Sequence, residues 1–331
     1  MNSQGHLRRR VQCIRPSPRR GYRLACAVLL GSLLALTASG PLTATAQVVH
    51  EERSLYRNIL VRDQGSVRCL LFSERRASSR QTCMDLSDPD QLVFSYVRMM
   101  FAGLLLTPEP ERILLIGLGG GTMPRVFATL FPDAHQDLVE IDPAVVRVAE
   151  QFFDFQPSAN MHVHVRDARV FVKRALLADE KWDLILLDAF EADYIPEHLM
   201  TREFFEELQG ILAEGGVVVA NTFATSRLYH HESATYRAVF PTVATLRLEG
   251  SYNRILLAAS QSWPDHATLA QRAAELAPRL LRYGVLIESY PDALRTQWSY
   301  EEDARVLTDR YAPANLLQGR SRSRLGRPQS E

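Results

Sequence analysis

Short apolar runs alternate with helical segments from residue 112 to residue 223. The runs have the length and composition of buried strands, and their sequences are RILLIG, QDLVEID, MHVHVRD, WDLILLD and GVVVANTF. The intervening segments, of which PAVVRVAEQFF is one, repeat apolar residues at the spacing of one helix face. Because strands alternating with helices form a parallel sheet covered on both faces, the pattern predicts an α/β domain.

The segments on either side of this alternation have different patterns. Residues 52–86 contain three short β-like runs separated by turn residues, which predicts a small N-terminal β-domain. A helical pattern, DQLVFSYVRMMFAGLLL, follows and stops at the prolines of TPEPER. Near the end, TVATLRL and RILLAAS flank EGSYN, which predicts an antiparallel hairpin, and HATLAQRAAELAPRLL predicts a late helix.

Together these patterns predict a fold class and four parts of the chain. We expect a Rossmann-like sheet of methyltransferase type, with a parallel core and a terminal antiparallel hairpin, preceded by a small N-terminal β-domain. The predicted parts are a signal peptide or membrane anchor at 1–46, the β-domain at 47–90, a Rossmann-like domain with its linker helix at 91–290, and a C-terminal extension with a disordered basic tail at 291–331.

Basic and acidic residues balance overall, with 38 of each in 331 residues, but they are unevenly distributed. Residues 1–46 hold seven arginines and no acid, so the rest of the chain carries a net charge of about −7. A nucleic-acid surface would be basic. The acidic body therefore argues against nucleic acid as a partner and favours small molecules.

The first 46 residues have the organisation of a targeting segment. Arginines precede the uncharged apolar run LACAVLLGSLLALTA, and Ala44-Thr45-Ala46 fits a small-x-small cleavage site. An uncleaved anchor is the alternative, although the run is short for a membrane span. Both interpretations predict a protein exported to the periplasm or anchored there by its N-terminus, and PRRGYRLA also resembles a twin-arginine signal.

Two cysteines, Cys69 and Cys83, lie outside the targeting segment, on β-like runs that flank a polar loop. If they face each other across a hairpin, an oxidising compartment favours a disulfide between them. Two half-buried thiols are the alternative. Two cysteines without a histidine pattern make a poor zinc site, and we expect no metal.

A cluster of glycines ends the first strand of the alternation, in the sequence ILLIGLGGGTMPR. Gly117, Gly119 and Gly121 lack a Cβ, so a ligand can approach the backbone there. Glu140 ends the second strand, where a carboxylate can accept both hydroxyls of a ribose, and Asp167 ends the third, where it can meet an adenine edge. Because ligands bind at the carboxyl ends of parallel strands, these residues predict one nucleoside site.

The residues after the glycines restrict which nucleotide is bound. A dinucleotide fingerprint needs a third glycine where Thr122 stands, and the Lys-Ser/Thr pair of a P-loop does not follow. The turn suits an adenosyl-sulfonium ligand, which has no phosphates. Thr122 and Pro124 are predicted to begin the next helix, as N-cap and first-turn residues. The alternative is that the glycines only make a tight turn and the acids cap helices.

Six stretches together resemble the polyamine aminopropyltransferase (spermidine synthase-like) family: ILLIGLGGG, LVEIDPAVVRVAE, VRDARVFV, WDLILLDAF, LMTREFFEELQGILAEGGVVVANTF and LTDRYAPANLL. The resemblance covers residues 54–317. It implies a β-domain followed by a Rossmann-like domain, a homodimer, and decarboxylated S-adenosylmethionine as cosubstrate, with no permanently bound cofactor. By this likeness the nucleotide site is lined by Gly117, Gly119, Glu140, Asp142, Asp167, Ala168 and Asp188, with Gln81 nearby.

The resemblance also implies transfer of an aminopropyl group to an amine, in polyamine biosynthesis. Such an enzyme holds a polycation and deprotonates one nitrogen, and carboxylates serve both needs. The loop LLDAFEADYIPEHL supplies Asp188, Glu191 and Asp193 as candidates. Glu191 stands where the family has an aspartate that contacts the attacking amine, and Asp193 is the alternative carboxylate.

Several positions that would meet the amine differ from the family. Gly120 stands where the family has an aspartate that grips the aminopropyl ammonium, a tyrosine–histidine pair falls on Ser95 and Tyr96, and a Tyr-Gln element reads Tyr56-Arg57. Two alternatives therefore stay open: an S-adenosylmethionine-dependent methyltransferase that acts on a methyl acceptor, and a non-catalytic nucleoside-binding module.

Overall fold

The computed structural model describes residues 46–72, 80–190, 195–301 and 303–312. The predicted targeting segment up to residue 45 and the predicted basic tail lie outside these ranges, as do Glu191 and Asp193. Within the described ranges, each helix is too short or too polar to cross a membrane.

Four antiparallel strands form the N-terminal sheet, in the order β1-β2-β3-β4. Their bounds are β1 Gln47–Arg53, β2 Asn58–Gln64, β3 Val67–Leu71 and β4 Arg80–Asp85. The sequence pattern did not predict β1, whose segment QVVHEER is mostly polar and exposed. One face of the sheet buries Ile59, Val61 and Leu70 against the helix Pro143–Phe152 of the α/β domain. That contact ties the two parts of the chain together.

The two cysteines lie opposite each other on neighbouring strands of this sheet. Cys69 of β3 is the register partner of Cys83 of β4, and a disulfide joins them. Both side chains are buried in a small cluster with Leu60 and Leu71. The bridge therefore links the two strands on either side of residues 73–79.

Loss of this disulfide is expected to lower the free energy of unfolding by about 3 kcal/mol, because the bridge closes a short loop and restricts the unfolded chain. The two cysteines are 14 residues apart. Urea unfolding with and without reductant measures the effect. The double variant Cys69→Ser/Cys83→Ser is the control, since its midpoint should not respond to reductant. Identical midpoints for the reduced and oxidised wild type would contradict the prediction.

The second sheet has eight strands in the order β12-β10-β11-β9-β8-β5-β6-β7. Strands β5 to β9 are parallel, and β10, β11 and β12 add to the β9 edge as antiparallel strands. Their bounds are β5 Arg112–Ile116, β6 His135–Glu140, β7 Met161–Val165, β8 Trp182–Leu187, β9 Leu212–Phe223, β10 Thr242–Leu246, β11 Asn253–Ala259 and β12 Leu294–Arg295. The predicted α/β class, with its parallel core and terminal hairpin, is confirmed.

Helices cover both faces of this sheet. They are α1 Ser95–Met100, α2 Thr122–Leu130, α3 Pro143–Phe152, α4 Ala168–Leu177, α5 Arg202–Gly210, α6 Tyr229–Val239, α7 His266–Leu280 and α8 Tyr290–Ala293. Successive residues of the central strands point to opposite faces, so Leu115 joins one core and Leu114 the other. This double burial explains why the central strands are apolar throughout.

Two helices differ in detail from the sequence prediction, one at its end and one at its start. Helix α1 is followed at once by a 3-10 helix, Phe101–Leu105, although the sequence predicted one continuous helical pattern. Gly121, not Thr122, is the N-cap of α2. The Thr122 hydroxyl lies 3.5 Å from the hydroxyl of Thr82, so it contacts the N-terminal sheet, and Pro124 is the third residue of the helix.

The order of the parallel strands reverses between β5 and β8. From β5 the chain adds β6 and β7 on one side, and it then crosses back to place β8 and β9 on the other. In open α/β sheets a crevice forms at such a switch point, outside the carboxyl ends of the strands. The fold therefore predicts a ligand site beside Gly117 and Asp188, which follow β5 and β8.

Candidate functional site

A cavity of about 340 Å³ lies at this switch point, between the carboxyl ends of the strands and the N-terminal sheet. Seven predicted site residues belong to its wall: Gln81, Gly117, Gly119, Glu140, Asp167, Ala168 and Asp188. Gly121 and Asp142 do not line it. Glu191 and Asp193 lie outside the described residues, so their roles stay predictions.

The glycine turn brings the ends of β5 and β8 into close contact. Gly117 has a φ of +97°, and a Cβ there would lie 2.4 Å from the carbonyl oxygen of Asp188. Gly121 has a φ of +71°, and its Cβ would lie 2.4 Å from the Phe155 ring. Gly117 therefore shapes the cavity wall, whereas Gly121 serves helix packing outside the cavity.

The Glu140 carboxylate is held by two backbone groups. Oε2 accepts the N–H of Leu118 at 3.1 Å, and Oε1 accepts the N–H of Asp142 at 2.9 Å. Burial raises the pKa of Glu140, while these two hydrogen bonds and the charge of Arg57 oppose the rise. Each oxygen keeps further capacity to accept a hydrogen bond, so the group can accept the two hydroxyls of a ribose.

Asp142 is fully buried and connects the two parts of the chain. One oxygen accepts the N–H of Ala144 and caps α3, and the other accepts the Ser54 hydroxyl at 2.6 Å. The Nε of Arg57 lies 4.0 Å from the same oxygen, and the Arg57 guanidinium stacks on the Phe72 ring. Asp142 thus holds the loop between β1 and β2 beside the cavity.

Asp167 has both a capping role and a place in the cavity wall. Its Oδ1 accepts the N–H of Val170 and caps α4, while Oδ2 lies 2.8 Å from Nε2 of His198. His198 also lines the cavity, and the sequence pattern did not single it out. Asp167 does cap a helix, as the alternative interpretation expected of the strand-end acids, but it caps α4 at the cavity wall.

Asp188 is half-buried at the end of β8, and burial raises its pKa to about 7. Hydrogen bonds from Asn221 and Tyr96 act in the opposite direction. The Asn221 Nδ2 donates to Oδ1 of Asp188 at 2.9 Å. Burial, followed by the charge of Asp188, raises the pKa of Tyr96 well above its usual value, so this tyrosine stays a hydrogen-bond donor. A carboxylate with a pKa near neutrality can accept a proton at physiological pH.

Aromatic and amide side chains complete the wall beside Asp188. They are Tyr96, Phe190, Asn221, Phe223, Tyr252 and Asn253. Tyr252 belongs to the hairpin between β10 and β11, and its side chain is largely exposed. The sequence pattern predicted that hairpin but could not show that it reaches the end of β8. Asn221 was recognisable only as a polar residue that follows the apolar run VVVA.

A separate cluster on the outer strands has the residue types of a metal site. His135, Asp137 and His162 have ligand atoms within 4.8 Å of one another. The Asp137 carboxylate is already engaged, because Trp182 donates to one oxygen at 3.0 Å and Nε2 of His164 lies 2.7 Å from the other. We therefore assign no metal to this cluster, which is not part of the cavity wall.

Comparison with known proteins places this chain in a family. Residues 93–245 match the Spermine/spermidine synthase domain. Over 293 residues the chain is 48% identical to the polyamine aminopropyltransferase of Vibrio vulnificus (strain CMCP6), and the alignment covers 88% of this chain and 98% of that relative. The chain belongs to the polyamine aminopropyltransferase family. The resemblance found in the sequence motifs is thereby confirmed.

Solved structures similar to this aminopropyltransferase family member include a methyltransferase. A probable spermidine synthase from Corynebacterium glutamicum has a TM-score of 0.61 at 24% identity, covering 78% of this chain and 96% of that chain. Human Methyltransferase-like protein 13 in complex with SAH has a TM-score of 0.53 at 26% identity, covering 66% of this chain and 99% of that chain. The predicted methyltransferase-type fold is confirmed.

Proposed function

We propose that the protein transfers the aminopropyl group of decarboxylated S-adenosylmethionine to a primary amine, as a step in polyamine biosynthesis. The observation that carries this proposal is one cavity whose wall includes both Glu140 and Asp188. A carboxylate for a ribose and a carboxylate for an amine match the two halves of the reaction. Membership of the polyamine aminopropyltransferase family supports the same reaction.

The donor half of the cavity suits an adenosyl group. Glu140 can accept both ribose hydroxyls, since its oxygens are oriented by the N–H groups of Leu118 and Asp142. Gly117 lets the ends of β5 and β8 pack closely and so shapes this part of the wall, since a Cβ there would lie 2.4 Å from the carbonyl oxygen of Asp188. Asp167 and Ala168, at the start of α4, suit recognition of the adenine edge.

The acceptor half needs a base and an aligned amine. The amine nitrogen attacks the methylene carbon bound to the sulfonium, a C–N bond forms, the C–S bond breaks, and 5′-methylthioadenosine leaves. Asp188 accepts the proton that the nitrogen gives up. Its pKa of about 7 leaves a large ionised fraction at physiological pH, so it can act as the base and hold the cationic amine.

Methyl transfer from S-adenosylmethionine is the second candidate function. The likeness to human Methyltransferase-like protein 13, whose structure contains SAH, favours it. Gly120 also lacks the carboxylate expected to grip an aminopropyl ammonium. A side chain there would meet Thr82, since a Cβ at Gly120 would lie 2.7 Å from the Thr82 methyl group.

The experiment that tests the proposal compares two donors on the purified protein. Calorimetry and turnover are measured with decarboxylated S-adenosylmethionine and with S-adenosylmethionine, each in the presence of a diamine such as putrescine. Aminopropyl transfer predicts preference for the decarboxylated donor and release of 5′-methylthioadenosine. Preference for S-adenosylmethionine would favour methyl transfer. Binding of neither donor would leave the non-catalytic module as the conclusion.

We also propose that two copies form a homodimer. Val48, Leu55 and Tyr56 are large apolar residues of the N-terminal sheet and its first loop, and all three are exposed. Exposed apolar groups are costly to leave in water and often mark an interface. Light scattering at micromolar concentration should give twice the chain mass, and Leu55→Asp should halve it. A monomeric wild type would reject the dimer.

We propose that the protein works outside the cytoplasm. The Cys69–Cys83 disulfide supports this, because disulfides persist mainly in oxidising compartments. The arginine-rich and apolar residues 1–46 support it as well. A reporter fused after Ala46 should be active in the periplasm, and an exclusively cytoplasmic reporter would reject the proposal.

A further inference from the structure

We propose that Asn221 and Asn253 are positioning residues that hold the Asp188 carboxylate in the orientation needed to receive the proton of the acceptor amine. The inference rests on the proposed function for its chemistry, but its geometry stands independently. It concerns a chain of three side chains that crosses three neighbouring strands of the sheet.

The chain of hydrogen bonds begins at Asp188 and continues through two amide side chains that also line the cavity. Asn221 of β9 donates from Nδ2 to Oδ1 of Asp188 at 2.9 Å. Its own Oδ1 accepts from Nδ2 of Asn253, the first residue of β11, also at 2.9 Å. Asn221 therefore uses its NH₂ group on Asp188 and its oxygen on Asn253, whose NH₂ group is the donor. Asp188 Oδ1 is fixed by Asn221, which leaves Oδ2 as the oxygen that this amide does not engage.

The stability of the fold does not explain why an amide side chain is buried at Asn221. The side chain is 3% exposed, and it follows the buried apolar residues 217–220 in the same strand. A buried amide loses its hydrogen bonds to water and stabilises the fold less than a well-packed apolar group of similar size. The Asn221 side chain donates one hydrogen bond to Asp188 and accepts one from Asn253. An amide here orients a carboxylate, which an apolar side chain cannot do.

Asn253 connects Asp188 to the wall that would meet the acceptor. It directly follows Tyr252 in the hairpin between β10 and β11, and both residues line the cavity. The Ser251 hydroxyl accepts the backbone N–H of Asn253 at 3.1 Å, which restrains the turn. The orientation of Asp188 is thus coupled to the position of this hairpin.

Other charged and titratable groups share the cavity with Asp188. Tyr96 of α1 interacts with it directly. The remaining ones in the described wall are Arg57, Arg80, Glu140, Arg166, Asp167, His198 and Tyr252. Neither positioning residue titrates, so replacing Asn221 with an isosteric apolar residue changes one hydrogen bond to Asp188 without changing any formal charge in the cavity.

Asn221→Leu tests the proposal most directly. Loss of the Asn221 N–H donor destabilises the ionised Asp188 carboxylate and so raises its pKa. In a plot of kcat against pH, the acidic limb should therefore move to higher pH by about one unit. Loss of the fixed orientation of the Asp188 carboxylate should lower kcat by about 10- to 100-fold at the pH optimum. The KM for the donor should stay within about threefold, because Asn221 does not hold the nucleoside. Asn253→Leu should also move the acidic limb to higher pH and lower kcat, but both effects should be smaller than for Asn221→Leu.

A matched control lies on the same strand. Thr222 is equally buried, and its hydroxyl donates to the carbonyl of Arg254 at 2.9 Å, away from Asp188. Thr222→Val should lower thermal stability while leaving the acidic limb in place. If Asn221→Leu behaves as this control does, with an unmoved limb and a loss explained by unfolded protein, the positioning role is rejected.

A direct titration keeps this test separate from the test of the proposed function. Carbon-13 NMR of side-chain carboxyl groups, with Asp188→Asn to assign the signal, reports the Asp188 pKa without any turnover. A higher Asp188 pKa in the Asn221→Leu variant than in the wild type supports the positioning role even if aminopropyl transfer is absent. An unchanged Asp188 pKa overturns it even if the wild type is active.

Discussion

Replacing Asp188 with asparagine should reduce kcat by about 10²- to 10⁴-fold while the protein stays folded. Asparagine has the shape of the carboxylic acid and can still accept the Asn221 hydrogen bond, but it cannot take a proton from the amine. The measurement is single-turnover release of 5′-methylthioadenosine, with circular dichroism to confirm the fold. Retention of more than a tenth of the wild-type kcat would contradict the role of Asp188 as base.

The raised pKa of Asp188 adds a pH signature to this prediction. The wild-type rate should fall below about pH 7, because the carboxylate becomes protonated there. The folded pKa lies above the ordinary value for aspartate, so the group makes folding less favourable as pH rises from about 4 to about 7. Asp188→Asn removes this decline and should be more stable than the wild type above pH 7. Thermal unfolding across this pH range provides the measurement.

Asp137→Asn is the control for Asp188. Asp137 is also a mostly buried carboxylate of the same sheet, with hydrogen-bond partners of its own, but it does not line the cavity. Its substitution should weaken the outer strands without changing kcat at temperatures where the protein is folded. Equal losses of kcat in both variants would indicate a general effect of the sheet on activity.

Glu140→Gln should raise the Kd for the donor, or for 5′-methylthioadenosine, by about 10- to 100-fold. The carboxylate accepts two backbone N–H groups with its two oxygens, and the glutamine NH₂ can accept neither. One of the two backbone N–H groups therefore faces the glutamine NH₂ group and has no acceptor. The ribose hydroxyls then donate to a neutral amide instead of a charged carboxylate. Calorimetry measures the Kd, and kcat at saturation should change much less.

Glu207→Gln is the control for Glu140. Glu207 is also largely buried and forms an ion pair with Arg169, but it is outside the cavity wall. Its substitution should lower stability and leave donor affinity unchanged. Wild-type affinity in Glu140→Gln would exclude the ribose contact and would point to a different orientation of the nucleoside.

Much of the fold could be predicted from local pattern, because the central parallel strands are buried on both faces and are therefore apolar throughout. Gly117 and Glu140 stand directly after such runs, so their convergence followed from topology, whereas the family resemblance supplied Asp188. The strand β1 escaped prediction because its residues are mostly polar and solvent-exposed. Local pattern identifies buried elements better than exposed ones.

Contacts between distant strands could not be predicted in the same way. Asn221 and Asn253 are 32 residues apart and meet only because of the register between β9 and β11. The family resemblance placed Asp142 at the nucleotide site, whereas in the structure it caps α3 and accepts a hydrogen bond from Ser54, which belongs to the first loop of the N-terminal sheet. Such roles depend on how sheets dock, and no short stretch of residues encodes that.

The cavity takes its wall from both sheets, with Arg57 and Gln81 contributed by one and Glu140 and Asp188 by the other. Ligand affinity and domain association are therefore thermodynamically linked: a nucleoside that contacts both surfaces must strengthen their association by as much as that association strengthens its own binding. The chain from residue 91 onward, expressed alone, would lack the part of the cavity wall that Arg57 and Gln81 provide.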